Sequence, residues 1–333
     1  MILVTGASGY IGSHTCVELL NAGRQIVGLD NLCNSSLDAV ESVKKLTGKE
    51  FPFYVADLLD EESLEKVFSE NEIDSVIHFA GLKAVGESVA KPVWYYKNNI
   101  SGTVNLLEAM QRHGVKRMVF SSSATVYGAP DEVPIREDAP TRTTNPYGST
   151  KLYIEGILRD LCVADPEFSV ALLRYFNPIG AHKSGLLGEN PNGIPNNLMP
   201  RLCQAVKGQM KELTVFGTDY PTVDGTGVRD YIHVCDLARG HLHALKKIEK
   251  DFGIFVYNLG TGKGYSVFEL INTFSRVNKV EVPYVICPRR PGDVASVFAD
   301  PSKAKTELED MRIDLHKKQN QKRMIEDLER SMD

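Results

Sequence analysis

A phenol and an ammonium stand four residues apart in the run Tyr147-Gly148-Ser149-Thr150-Lys151. On a helix, residues four apart share a face, so both side chains can address one substrate atom. A tyrosine at its ordinary pKa, about 10, is a poor base near neutrality. A positive charge within about 4–6 Å favours the phenolate and lowers that value. Lys151 is therefore expected to bring Tyr147 into range as the acceptor of an alcohol proton. Ser121-Ser122-Ser123 end a strand-like run upstream. Ser123 is read as the third partner, a hydroxyl that bonds the reacting oxygen and relays its proton. A bare tyrosine–lysine pair at this spacing is more often a surface helix with a packed aromatic. The weight comes from serine, tyrosine and lysine in this chain order, together with the opening of the chain.

Apolar residues 2–4 run into Gly6-Ala7-Ser8-Gly9-Tyr10-Ile11-Gly12 and then into a helical pattern over residues 11–22. A strand, a glycine turn and a helix start form the usual cradle for a dinucleotide pyrophosphate. Among Gly6, Gly9 and Gly12, one makes the tight turn, one lets phosphate approach the backbone and one lets helix pack on strand. The triplet alone is a weak signal. Asp30 strengthens it, because a carboxylate ending the second strand accepts bonds from ribose hydroxyls and repels a 2′-phosphate. That favours NAD over NADP. Ala56-Asp57-Leu58 and Phe79-Ala80-Gly81 fall at two further strand ends. Asp57 is placed to bond an adenine amino group, and Ala80 and Gly81 let a cofactor lie against backbone. The bland alternatives are that Asp57 caps the helix near residue 61 and that Gly81 only turns the chain. Both motifs together imply redox chemistry on a hydroxyl group.

These residues need strand ends and helix starts to hold them. Residues 2–4, 25–29, 52–55, 75–79, 118–121 and 170–175 read as strands, with helical patterns over 11–22, 61–70, 93–112 and 147–163. This alternation predicts an α/β fold, a doubly wound parallel sheet of Rossmann type with ligands at the carboxyl ends of its strands. Asn145-Pro146 supplies an N-cap and a first-turn proline ahead of Tyr147. Residues 177–227 are richer in Gly, Pro and Asn, with one helix near 198–207; a strand over 254–259 and a helix over 267–277 follow. Long irregular stretches in compact proteins commonly handle substrate. The expected division is an NAD-binding domain over residues 1–176, with return segments around 228–262, and a smaller C-terminal α/β substrate-binding domain over 177–333.

The bulk properties narrow the class. At 333 residues the chain is long enough for one large or two modest domains. A net charge of −5 argues against a nucleic-acid surface. The basic run around residues 316–323 is followed at once by acidic residues and reads as a solvated helix face. Six cysteines lack close pairing, which suits free thiols in a reducing compartment, and no metal site is expected. The eight histidines, among them His14, His78 and His233, are scattered as packing and bonding groups rather than ligands. No apolar run approaches the roughly 18 residues that span a bilayer, and Met1-Ile2-Leu3-Val4 reads as a structural strand rather than a leader. The expectation is a cytoplasmic enzyme.

Longer runs carry a family resemblance. Residues 4–14 (Val-Thr-Gly-Ala-Ser-Gly-Tyr-Ile-Gly-Ser-His), 29–35 (Leu-Asp-Asn-Leu-Cys-Asn-Ser) and 78–88 (His-Phe-Ala-Gly-Leu-Lys-Ala-Val-Gly-Glu-Ser) are three of them. Residues 121–128 (Ser-Ser-Ser-Ala-Thr-Val-Tyr-Gly), 174–178 (Arg-Tyr-Phe-Asn-Pro) and 225–234 (Gly-Thr-Gly-Val-Arg-Asp-Tyr-Ile-His-Val) complete the set. With these, the chain resembles the extended short-chain dehydrogenase/reductase family and, within it, the UDP-hexose 4-epimerases, from residue 1 to about residue 305. The resemblance implies reversible epimerisation at C4′ of a UDP-hexose through a 4-keto sugar, with NAD tightly held and no net redox. Tyr147, Lys151 and Ser123 match the family's reacting residues. Tyr10, Ile11, Asp30, Asn31, Cys33, Asn34, Ser35, Asp57, Leu58, Phe79, Ala80, Lys83, Asn98 and Phe176 fall on NAD positions, with Lys83 also facing substrate. Asn177, Asn197, Leu198, Phe216, Arg229, Tyr231, Arg290 and Asp293 fall on positions that hold the sugar nucleotide. A homodimer through residues 93–112 and 147–163 is implied by the family alone.

Two departures matter. Val297 stands where some members carry a bulky tyrosine and others a small residue, so partial room for an N-acetyl group is expected. After Leu308 the usual Trp- and Gly-containing ending is replaced by a short charged tail. Among rival readings, a nucleotide-sugar dehydratase needs an acid after the strand-end hydroxyl, and Ala124-Thr125 supply none. A non-catalytic sensor on the same scaffold would have little reason to keep both Tyr147 and Lys151.

Overall fold

Near-continuous apolar runs need cover on both faces, and the chain provides it. The structure, a computed structural model, describes residues 1–193, 195–290 and 292–308; the charged tail lies outside these residues. Strands β1 (Ile2–Thr5), β2 (Ile26–Asp30), β3 (Phe53–Val55), β4 (Ser75–His78), β5 (Arg117–Ser123) and β6 (Ser169–Tyr175) join strand Gly253–Leu259 in one parallel sheet. The order is Gly253–Leu259, β6, β5, β4, β1, β2, β3. Alternation splits β1 between two cores. Ile2 and Val4 pack with Val17, Leu20 and Leu237, whereas Leu3 packs with Leu64, Met110 and Leu158. Because β2 lies on one side of β1 and β4 on the other, a crevice opens where the connections diverge.

Helix Val234–Lys250 crosses a stretch that the sequence reading leaves unassigned. Its buried positions Val234, Leu237, Ala238, His241, Leu242, Leu245 and Ile248 recur at helical spacing. They lie against helix Tyr10–Asn21 and β6, so this segment and strand Gly253–Leu259 return to the main sheet. Strand Val228–His233 gathers a small mixed sheet with Asn177–Ile179, Gly264–Ser266 and Ser296–Val297. Strands Leu213–Phe216 and Tyr284–Cys287 pair separately.

The helix expected over residues 93–112 is interrupted. It runs as Pro92–Tyr96, a π-helical turn Lys97–Ser101, then Gly102–Arg112. The buried Asn99 side chain fastens the widened turn to its surroundings. It accepts from the Leu82 N–H at 2.8 Å and donates to the Leu82 carbonyl at 3.0 Å and to Thr150 Oγ1 at 3.1 Å. Such turns frequently mark functional positions.

Behind the sheet edge, Glu155 and Arg174 form a buried ion pair. Arg174 donates to Glu155 through Nε at 2.9 Å and Nη2 at 2.6 Å, and Ser122 Oγ donates at 2.6 Å. Removing one partner of a buried pair strands the other charge. Glu155→Ala is therefore expected to lower stability by about 3–5 kcal/mol in urea unfolding; a loss under about 1 kcal/mol, as for an exposed pair, would contradict this role.

Candidate active site

The glycine turn after β1 is packed too closely for side chains. Gly6 holds φ +71°, and a Cβ on Gly12 would stand 2.1 Å from the Gly6 carbonyl oxygen. Helix Tyr10–Asn21 then begins with Gly9 as its N-cap, no capping side chain and no acidic residue in its first turn. Its terminal N–H groups and dipole thus remain suited to an anion. At the end of β2, Asp30 accepts from the N–H groups of Ser8 at 3.1 Å and Leu32 at 2.9 Å and from Ser35 Oγ at 3.1 Å. Beyond β3, Asp60 rather than Asp57 caps helix Glu61–Glu70. Asp57 instead accepts from Asn31 Nδ2 at 2.8 Å.

These groups open onto one cleft of about 670 Å³. Gly6, Gly9, Tyr10, Ile11, Gly12, Asp30, Asn31, Cys33, Asn34, Ser35, Asp57, Leu58, Phe79, Ala80, Gly81, Lys83, Asn98, Tyr147 and Lys151 all line it. Phe176 does not: its side chain packs with Val126, Tyr127 and Ala299. Glycine turn, uncapped helix start and the carboxylate ending β2 in one cleft fit a dinucleotide.

Tyr147 and Lys151 sit at the β5 end of this cleft. Helix Pro146–Ala164 starts as its sequence dictates, with Asn145 Oδ1 accepting from the Gly148 N–H at 2.9 Å and Pro146 in the first turn. Lys151 is buried, and its ammonium donates to the Ser121 carbonyl at 2.7 Å. Burial brings its pKa down to about 7. Ser123 Oγ accepts from the Thr125 N–H at 3.2 Å and Thr125 Oγ1 at 3.0 Å, which leaves its own proton for the Tyr147 oxygen. Burial raises the Tyr147 pKa, opposed by the Ser123 bond. Lys151 follows one helical turn after the phenol, with its amine held by the Ser121 carbonyl.

A further chain runs beneath. Ser121 bonds Tyr175, whose hydroxyl meets His241 Nε2. His241 Nδ1 lies 2.8 Å from the Leu237 carbonyl, and burial holds the imidazole pKa down near 3, so the ring is neutral. With Nδ1 donating to the carbonyl, Nε2 accepts the Tyr175 proton.

The expected substrate residues form a second group. Asp293 receives both guanidiniums, Arg229 on Oδ1 and Arg290 on Oδ2 at 3.0 Å. Arg290 also lies 5.0 Å from the Phe216 ring centroid. Asn177 pairs with Tyr231, and Val297 with Arg229, across the small sheet. Leu198 packs by Tyr231. Asn197 reaches Glu189, a residue the sequence reading missed, at 2.7 Å. Glu189 also pairs with Lys83 at 3.4 Å, and burial raises its carboxyl pKa despite that partner. No motif marks Glu189; only its contacts across the cleft reveal it.

Comparison with known proteins agrees with this geometry. The NAD dependent epimerase/dehydratase family matches residues 2–260. A UDP-glucose 4-epimerase of Bacillus subtilis is 65% identical over 307 residues, covering 92% of this chain and 91% of that protein. The crystal structure of a Bifidobacterium longum UDP-glucose 4-epimerase with NAD⁺ and UDP has 52% identity and a TM-score of 0.92, over 99% of this chain and 96% of that one. A Stenotrophomonas maltophila UDP-glucose-4-epimerase with NAD and formylated UDP-arabinopyranose has 47% identity and a TM-score of 0.92, over 99% and 97%. The chain belongs to the NAD dependent epimerase/dehydratase family.

Proposed function

We propose that the chain interconverts UDP-glucose and UDP-galactose by epimerisation at C4′, as an NAD-dependent enzyme without net redox. The observation that carries this reading is that Tyr147 and Lys151 line the β5 end of the cleft, with Ser123, itself outside the lining, bonded to the Tyr147 phenol. NAD, when bound, supplies the hydride acceptor and donor at C4′ and a positive ring charge. Asp30 and Asp57 are assigned to the adenosine half, and the glycine turn with the start of helix Tyr10–Asn21 to the pyrophosphate.

Tyr147 takes the proton from the 4′-hydroxyl as C4′ loses its hydride, and returns it to the same oxygen once the 4-keto sugar has turned over and the hydride has come back to the opposite face of C4′. Ser123 steadies the phenolate through its hydroxyl proton, and Lys151 adds positive charge beneath the pair. Arg229 and Arg290 hold the diphosphate by charge-assisted bonds. Asp293 orients both arginines and faces the uridine ribose diol, while Phe216, Tyr231, Asn177, Asn197 and Leu198 frame the nucleotide and sugar. Anchoring by the nucleotide lets the sugar turn over without leaving. Residues 1–176 with the returning segments then form the cofactor domain, and the remainder the substrate domain.

We assign the enzyme to the cytoplasm; no described helix is long and apolar enough to cross a membrane. A homodimer is read from apolar side chains exposed on two neighbouring helices, Val93 (78% exposed) and Trp94 on one, Tyr153 and Val163 (83%) on the other. Light scattering should give twice the chain mass of 36.9 kDa; a monomer at micromolar concentration would refute the dimer.

Tyr147→Phe should keep UDP binding, seen by calorimetry, and lose about 10²–10⁴-fold in turnover of UDP-galactose, the usual contribution of a general base. Near wild-type turnover would remove Tyr147 from the chemistry. Val297 leaves partial room at the sugar 2-position, so UDP-N-acetylgalactosamine should turn over measurably but more slowly than UDP-galactose. No detectable N-acetyl product refutes that assignment.

A further inference from the structure

Residues 180–193 run along the cofactor cleft and are fastened to each of its three loops. Tyr10, opening the helix after the glycine turn, donates its hydroxyl to the Gly180 carbonyl at 2.6 Å. Glu189, with only 9% of its side chain exposed, pairs with Lys83 at 3.4 Å. Asn192 donates to the carbonyls of Ser35 at 3.0 Å and Leu32 at 3.4 Å. Leu187 is buried in the core cluster that holds Ala7 and Val17.

Topology gives these ties a direction. In the sheet, β4, β1 and β2 are adjacent in that order. Lys83 lies beyond β4, the glycine turn beyond β1, and Leu32 and Ser35 beyond β2. A segment fastened to both outer loops must pass the middle one, where the pyrophosphate is assigned. Residues 186–192 line the same cleft as the glycine turn.

We propose that this segment is a retaining strap for the bound dinucleotide, with Asn192 and Glu189 as its latch residues. The cofactor leaves only when the strap lifts, so the latch sets its dissociation rate. The proposal rests on the NAD-dependent reading above. Its chemistry is local: Asn192 closes the adenosine side through two backbone carbonyls, and Glu189 closes the other side through the Lys83 ammonium.

The test follows NAD release directly. NAD-loaded protein is desalted, and the dinucleotide remaining bound is quantified over time by a cycling assay after acid extraction. Loss of one tie should speed release about tenfold, the effect of one good hydrogen bond or ion pair, and Asn192→Ala/Glu189→Gln should release faster than Asn192→Ala. Asn192 is exposed, so Asn192→Ala alone keeps the test valid if the double variant folds poorly. Release from a folded Asn192→Ala protein within about twofold of wild type overturns the strap while leaving the cofactor assignment intact. A wild-type protein that retains no NAD on desalting also overturns the strap, whereas the cofactor assignment fails only if UDP-galactose turnover of that desalted protein is unchanged by added NAD.

Discussion

The contact between the Lys151 ammonium and the Ser121 carbonyl, at 2.7 Å, is the interaction on which the site depends. It locks helix Pro146–Ala164 to the end of β5, the strand whose last residue, Ser123, bonds the Tyr147 phenol. The same junction is braced from behind by Glu155 holding Ser122 and Arg174, and from the side by Asn99 reaching Thr150. Every one of these groups is polar and most are buried. An unpartnered polar group in such a place is costly, so the network tolerates little displacement of one member from the others.

Burial has opposite effects on the two reacting groups. It raises the phenol of Tyr147 and brings the amine of Lys151 down to about 7. Both groups are therefore pushed toward their neutral forms. Only Ser123 opposes this for the phenol. Positive charge entering the cleft favours the phenolate, because low dielectric strengthens every electrostatic interaction there. In the mechanism proposed above, proton abstraction is in this way tied to the state of the cofactor, which suits a reaction that must oxidise and then reduce the same carbon.

Local chemistry was legible in the sequence, and long-range contact was not. The Tyr147–Lys151 spacing, the Asn145-Pro146 helix start and the glycine turn each depend on near neighbours, and each is found as read. Helix Val234–Lys250 was missed although its apolar spacing is present, because Asp236, Gly240 and His241 stand among the apolar residues of its buried face. Glu189 and Asn192 carry no local signature; their meaning lies in Lys83 and Leu32, more than a hundred residues away in sequence. Phe176 lies beside Tyr175, which lines the cleft, while its own ring packs in a separate apolar cluster.

The account places Tyr147 at the sugar oxygen and requires the C4′ hydrogen to move as hydride inside the cleft. The most direct measurement is the fate of deuterium at C4′ of UDP-galactose converted in ordinary water, followed by mass spectrometry of the UDP-glucose formed. Retention of the label at C4′ is the predicted result. Its exchange for solvent hydrogen would mean that a base acts at carbon, and would contradict the account.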